Sequence, residues 1–555
     1  MQTKHIQHFR FLQIALVLVG VLYIGYHLVE KQIIQHEHWK SRLAAQYDKD
    51  FTLRQNRAHI IDRHGIHLAV STRAYSIYGI GSEIENHRDT ASLIAQALGM
   101  PDYGPIYQRI AGATGFFWIA RNVDPAVASQ VADLRGVGLL EGERRFYPAG
   151  KLLAKVLGFT GVDVQGLEGI EHRFDRQLQG EEVRVAIHRD ARRREIMLEP
   201  MSRNQETTKP PLQLSIDSRL QTFAHHTIKT YLEENNARNI TIVAMNPHNG
   251  EILSMYSWPS FDPNNYSNYP RQAWRNEAVS STFEPGSTIK LITYAAALQS
   301  NSVTLADIFY GEQGEYREGN RRIRDVSPLG WASVAESFRR SSNIITSKIA
   351  AEIPEETFYE YLRLFGMGQA TGVELSGESQ GLLRPPAQWS RLSRTSLAMG
   401  YEVSANALQM VRAYSAVANG GYLVRPTMIR DGNQDAEAKR ILTPETASTM
   451  RQLLKGAVEQ GTGRNAALEH FVISGKTGTA QKLDPEHGYS RDRHFASFIG
   501  FFPYDKPQVV MGVFVDEPDG GIYQGGAVAA PIFRDIAEKY ISFYGLIPDK
   551  KGSGS

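Results

Sequence analysis

The sequence predicts an α+β protein of two or more domains, with an antiparallel sheet that carries helices on its faces and a single membrane helix at the N-terminus. Three observations predict it. Residues 239–256 read as a hairpin, a long helical block follows, and three strand patterns and a helix close the chain; that order fits a sheet covered by helices. Residues 202–211 are polar, end in Pro210-Pro211, and separate this part from an upstream mixture of strands and short helices. Phe11 to Val29 is the one long apolar run, broken only by Gln13 and His27. At 555 residues the chain exceeds what a single core ordinarily holds.

Composition narrows the function. With 42% hydrophobic and 22% charged residues the chain is globular, and a net charge of +2 provides no basic field for nucleic acid. The absence of cysteine excludes disulfides, thiolate catalysis and Cys-ligated metal.

Taken in order, residues 1–10 carry Lys4 and Arg10 ahead of the span at 11–29, with Glu30-Lys31 behind it, which favours a cytoplasmic N-terminus. No small-x-small cleavage site follows, so an uncleaved anchor is expected, with the rest of the chain outside the cytoplasm. Ile33 to Phe51 has a loose helical pattern suited to a stalk. Asn56 to Ala69 alternates into a strand, a turn at Gly65 and a second strand; its histidines at 59, 64 and 67 lack the further ligands of a closed metal site. Asp89–Leu98 and Pro125–Leu134 read as short helices. Gly158, Gly161, Gly166 and Gly169 lack the strand-to-helix context of a nucleotide loop, and Glu168 and Glu171 are read as ion-pair partners.

Beyond the linker, Asp217 or Ser218 caps a helix to Glu234. The hairpin turns at Pro247-His248-Asn249-Gly250. Helices are expected near 287–298, 333–351, 355–365, 404–419 and 443–460, strands at 471–481, 496–502 and 508–515, and a last helix at 531–544. The resulting domains are 30–205 and 206–548, with a linker-like tail at 549–555.

The chemistry centres on Phe283-Glu284-Pro285-Gly286-Ser287-Thr288-Ile289-Lys290. Pro285 and Gly286 mark a helix start, and the apolar residues to Leu298 predict a helix buried nearly all round. Ser287 and Lys290, three apart, share a face. A serine hydroxyl is a poor nucleophile without an adjacent base, and lysine serves as one only where burial and positive neighbours lower its pKa. A lone Ser-x-x-Lys is more often a cap and a solvated lysine. Here Ser341-Ser342-Asn343 and Lys476-Thr477-Gly478-Thr479 follow in order, and the three together are the signature of penicillin-recognising serine enzymes. Ser-x-Asn also occurs at Ser202 and Ser404, so 341 is chosen by its order along the chain.

These motifs resemble the class B penicillin-binding proteins, as do Arg57 to Ala69, Gly166 to Glu171 and Gly525 to Phe533. Leu68 to Thr72 and Gly158 to Asp163 are most similar to the division-specific branch, although Lys155 stands where many relatives have histidine. The resemblance implies a penicillin-binding/serine β-lactamase-like transpeptidase domain on an extended pedestal or dimerisation domain. It implies a D,D-transpeptidase without cofactor or metal that joins peptidoglycan stem peptides ending in D-Ala-D-Ala, and β-lactams as targets of the same serine. Ser287 would be the nucleophile, Lys290 its base, Ser341 a proton relay, Asn343 a support for Lys290, and Lys476 a source of positive potential. Thr477, Gly478 and Thr479 would bind the substrate carboxylate, with the Ser287 and Thr479 amides as oxyanion hole. A SEDS-family polymerase of the FtsW type and other divisome membrane proteins are the implied partners. An elongation-type relative, a D,D-carboxypeptidase, a β-lactamase-like enzyme and a scaffold acting through its stalk stay open at this point.

Overall fold

A computed structural model describes residues 2–35, 49–54, 57–180, 182–189, 195–197, 209–319, 321–432, 438–484, 486, 488–519 and 521–549. The chain forms two compact units and passes between them several times. One comprises residues 1–56, 73–144 and 180–208; the other comprises 57–72, 145–179 and 209–555.

In the first unit a helix runs from Gln2 to Val29 and continues as a π turn, Glu30–Ile34; Ile14–Ile34 is long and apolar enough to cross a membrane. Most of the expected stalk, 36–48, lies outside the described residues. Its last residues belong to a strand, Lys49–Arg54, paired antiparallel with Glu182–Arg189, because Asp50, Phe51, Thr52 and Leu53 alternate at period two rather than 3.6. The helices His87–Ala97 and Gly104–Ala111 pack Ile94, Ile106 and Ile110 with Ile77 and Ile119 of a strand pair. The helix expected over Pro125–Leu134 ends at Ala128 and finishes as a 3₁₀ turn, Ser129–Val131.

The second unit holds a five-stranded antiparallel sheet. Its strands are β1 (Ala237–Met245), β2 (Ile252–Trp258), β3 (Ser474–Asp484), β4 (Gly488–Phe502) and β5 (Val509–Pro518), in the order β2-β1-β5-β4-β3. Both faces are buried. Ile240, Ile242 and Ala244 of β1 join one core with α1 (Ser218–Glu234), capped by Asp217, and α7 (Gly525–Tyr544); Val243 and Met245 join the other. That second core holds α2 (Lys290–Gln299), α5 (Ala407–Ala418) and α6 (Pro444–Glu459). Every residue of α2 from Lys290 to Ala297 is buried, as its sequence requires.

Two helix expectations change. Residues 333–351 are two helices, α3 (Val334–Arg339) and α4 (Asn343–Ala351), broken where Ser341 takes a left-handed φ of 58°. The last helix begins at Gly525, so Pro531 lies inside it instead of opening it, beyond the first turn, and its missing N–H leaves the Ala527 carbonyl without a helical donor. A small hairpin, Glu315–Glu318 with Arg321–Arg324, went unread because its arginines and glutamates have no apolar alternation.

Segments 57–72 and 145–179 share the core of the sheet: Ile60, Leu68, Leu157 and Phe159 pack in one cluster with Leu214 and Val243. Glu171, fully buried, joins Arg57 (Nη2 2.6 Å) and Arg145 (Nε 2.6 Å), and Arg57 Nη1 also reaches Asp175 at 2.8 Å. The ion-pair reading of Glu171 therefore holds, in a buried network rather than on a surface. The His59 and His67 rings meet edge to face, and His64 lies 3.4 Å from Asp217.

Candidate active site

Free edge β3 is where the site forms. A 3₁₀ turn, Gly286–Ile289, leads into α2 and lies against it. The approach is close: a Cβ on Gly286, whose φ is 53°, would lie 2.8 Å from the Thr479 carbonyl oxygen. One on Gly478 would meet Ser497 Oγ at 2.5 Å, Thr288 Cγ2 at 2.8 Å and Pro285 O at 3.0 Å. No side chain fits between the turn and the strand. The turn is held from behind by the Tyr414 hydroxyl, which donates to Thr288 O at 2.9 Å.

Ser287 is half-buried on this turn, and Lys290 follows it as the first residue of α2. Lys290 is fully buried and donates to Ser341 O (2.8 Å), Asn343 Oδ1 (2.8 Å) and more distantly Ser341 Oγ (3.4 Å). Burial lowers its pKa to about 7, against the pull of Asp325, whose negative charge favours the ammonium form. Lys476 is also fully buried, unlike the solvated lysines that commonly guard an edge strand. It donates to Ser341 Oγ at 2.9 Å and Thr477 O at 3.3 Å. Desolvation, then the neighbouring Lys290, push it well below the ordinary lysine value. Two lysines thus converge on one serine oxygen in a dry site, an arrangement that disfavours both being charged at once.

The loop that presents Ser341 is built by a residue the sequence reading missed. Asp325 accepts from the Ser342 hydroxyl (2.6 Å) and from the Asn343 and Ile344 amides at the start of α4. Ser342 Oγ in turn accepts from Ile345 N, and Asn343 Nδ2 donates to Arg324 O, which aims its Oδ1 at Lys290. Asp325 belongs to no motif and lies at a distance in sequence from the residues it holds, so spacing alone does not reveal it. Two further residues support β3. Thr462 Oγ1 lies 2.7 Å from Thr477 Oγ1, and Gly525 N, at the start of α7, donates to Thr479 Oγ1 at 3.0 Å.

All eight expected residues, Ser287, Lys290, Ser341, Asn343, Lys476, Thr477, Gly478 and Thr479, therefore lie on three segments that meet at one edge of the sheet. Of the alternative Ser-x-Asn segments, Ser404 lies in a short strand paired with Leu382, and Ser202 lies outside the described residues.

Residues 240–538 match the family of the penicillin-binding protein transpeptidase domain, to which the chain belongs. Residues 52–209 match the penicillin-binding protein dimerisation domain, and the pairing of the two makes it a class B penicillin-binding protein, a peptidoglycan D,D-transpeptidase. It is 33% identical to stage V sporulation protein D of Bacillus subtilis over 94% of this chain and 83% of that one. It is 31% identical to the peptidoglycan D,D-transpeptidase FtsI of Escherichia coli, over 90% and 85%. Among solved structures, penicillin-binding protein 3 of Mycobacterium tuberculosis complexed with aztreonam superposes with a TM-score of 0.67 at 26% identity, over 90% of this chain and 98% of that one.

Proposed function

We propose that the chain cross-links stem peptides of septal peptidoglycan through an acyl-enzyme on Ser287. The observation that carries this reading is a buried lysine at the start of the helix that follows the nucleophile's turn, whose proton is held only to about pH 7. Lys290 Nζ takes the Ser287 proton as Oγ attacks the penultimate D-Ala carbonyl carbon. The negative oxygen rests on the Ser287 and Thr479 amides. The bond to terminal D-Ala then breaks, and its nitrogen receives a proton through Ser341, which stands between Lys290 and Lys476. An amine of a second stem attacks the ester carbonyl, loses its proton to Lys290, and frees Ser287. Thr477 and Thr479 hold the substrate carboxylate, Gly478 lets the backbone close in, and Asn343 keeps Lys290 aimed. A β-lactam enters by the same attack, its ring opening in place of a departing D-Ala.

The apolar N-terminal helix anchors the chain with its N-terminus in the cytoplasm and residues 30–205 as the stalk and pedestal of a catalytic domain at 206–548. The septal assignment rests on the relative named FtsI and on Leu68–Thr72 and Gly158–Asp163. A fluorescent fusion is expected at midcell, and sidewall labelling would favour the elongation role. Stalk and anchor would bind a SEDS-family polymerase of the FtsW type. Exchanging residues 11–50 for an unrelated anchor is expected to abolish co-purification, and retained co-purification would contradict that partner.

A further inference from the structure

Glu284 lies three residues before Ser287, and its carboxylate joins three segments. Oε1 accepts the Glu402 amide at 2.9 Å and the Tyr489 hydroxyl at 3.0 Å; Oε2 is buried with no partner among the described residues. Tyr489 stands opposite Leu483 on the part of the β3–β4 hairpin that projects beyond a bulge between Gln481 and Leu483. That projection leaves Leu483 59% exposed. Its ion pairs, Arg493 with Asp484 and Lys482 with Asp516, run within the sheet and not to the nucleophile segment. The Tyr489 ring meets Tyr401 edge to face at 5.2 Å, and Tyr401 belongs to the loop whose Gly400 carbonyl accepts from Gly286 N. At the near end of the same hairpin, Phe495 stacks on Phe283 at 4.1 Å. The hairpin is thus tied to the residues just before the nucleophile by one apolar stack and one hydrogen bond.

We propose that Glu284 and Tyr489 are positioning residues, a latch that holds the Lys476–Thr479 end of β3 at its working distance from the Ser287 turn. The inference rests on the reading of Ser287 as the acylated residue. A hydrogen bond to a carboxylate is among the stronger single ties a protein makes, and this one joins the segment leading into Ser287 to β4, the strand paired with β3 along its length. Small errors in such spacing are costly to rate.

The test is acylation of the full chain by a fluorescent penicillin, with the limiting rate and the half-saturating concentration measured separately. Tyr489→Phe keeps the ring and loses the tie; it is expected to lower the limiting rate about tenfold, with the half-saturating concentration and the thermal midpoint unchanged. Glu284→Gln, which keeps an acceptor oxygen, is expected to restore most of the rate lost in Glu284→Ala, and adding Tyr489→Phe to Glu284→Ala should slow it no further. Wild-type rate in Tyr489→Phe, or an equal slowing by Tyr489→Phe in the Glu284→Ala background, would overturn the latch. If Glu284→Ala does not fold, the Tyr489→Phe rate alone decides. Labelling that persists in Ser287→Ala would instead overturn the reading of the nucleophile.

Discussion

Lys476 Nζ lies 2.9 Å from Ser341 Oγ, the oxygen that Lys290 Nζ also approaches, at 3.4 Å. Two buried ammonium groups around one hydroxyl repel, so the site favours a state in which one lysine carries the charge and the other a lone pair. With the Lys290 pKa lowered to about 7, the free base predominates above that pH. Acylation by a β-lactam is therefore expected to rise with pH and level off above about 7. Asp325 favours the charged lysine, so Asp325→Asn is expected to move the acid limb of the profile to lower pH, whatever it does to the plateau. Rates measured from pH 5 to 9 check both.

A methyl on Gly478 would meet backbone and side chain of the nucleophile turn at 3.0 Å or less. Gly478→Ala is expected to push the turn from the strand and lower acylation by about a hundredfold, the scale of a misplaced reacting group. The fold, held by two cores behind the sheet, should survive. Stopped-flow acylation beside circular dichroism checks this.

Glu171 pairs with two buried arginines. Glu171→Ala leaves both charges without their shared partner, and a loss of roughly 3–5 kcal/mol is expected. Unfolding in urea provides the measurement, with a lowered midpoint and no change in the pH profile of whatever acylation remains.

Lys155, 8% exposed, has its pKa lowered to about 8, chiefly by desolvation, with Glu277 opposing. An unfolded chain holds this proton up to the ordinary lysine value, so between pH 8 and 10.5 unfolding takes up a proton and raising the pH stabilises the fold. Below pH 8 both states are charged and the full cost of burial, about 3 kcal/mol, is present. Lys155→Met is expected to be more stable than the parent at pH 7, by an amount that shrinks toward pH 10. Thermal midpoints at the two pH values check the sign.

The legible parts of the sequence were those with strong local periodicity. The helix after Ser287 was readable because Ile289 to Leu298 has no polar face, and β1 and β2 because a Pro-His-Asn-Gly turn joins two apolar runs. The motif residues were readable as types in order, and the meeting of their segments is consistent with that order. Asp325, Thr462 and Tyr489 act across long separations in sequence, through a carboxylate or hydroxyl whose role depends on what folding brings near, so no spacing marks them. The left-handed turn at Ser341 is equally silent: a serine there has no local signal, and the Asp325 carboxylate that holds Ser342, Asn343 and Ile344 just beyond it comes from a distant segment.

The central claim is tested most directly by intact-mass and peptide mass spectrometry of the protein after exposure to benzylpenicillin. A single adduct of the whole drug on the peptide bearing Ser287, absent from Ser287→Ala, is the expected result. An adduct on another residue, or labelling that survives in Ser287→Ala, would contradict it.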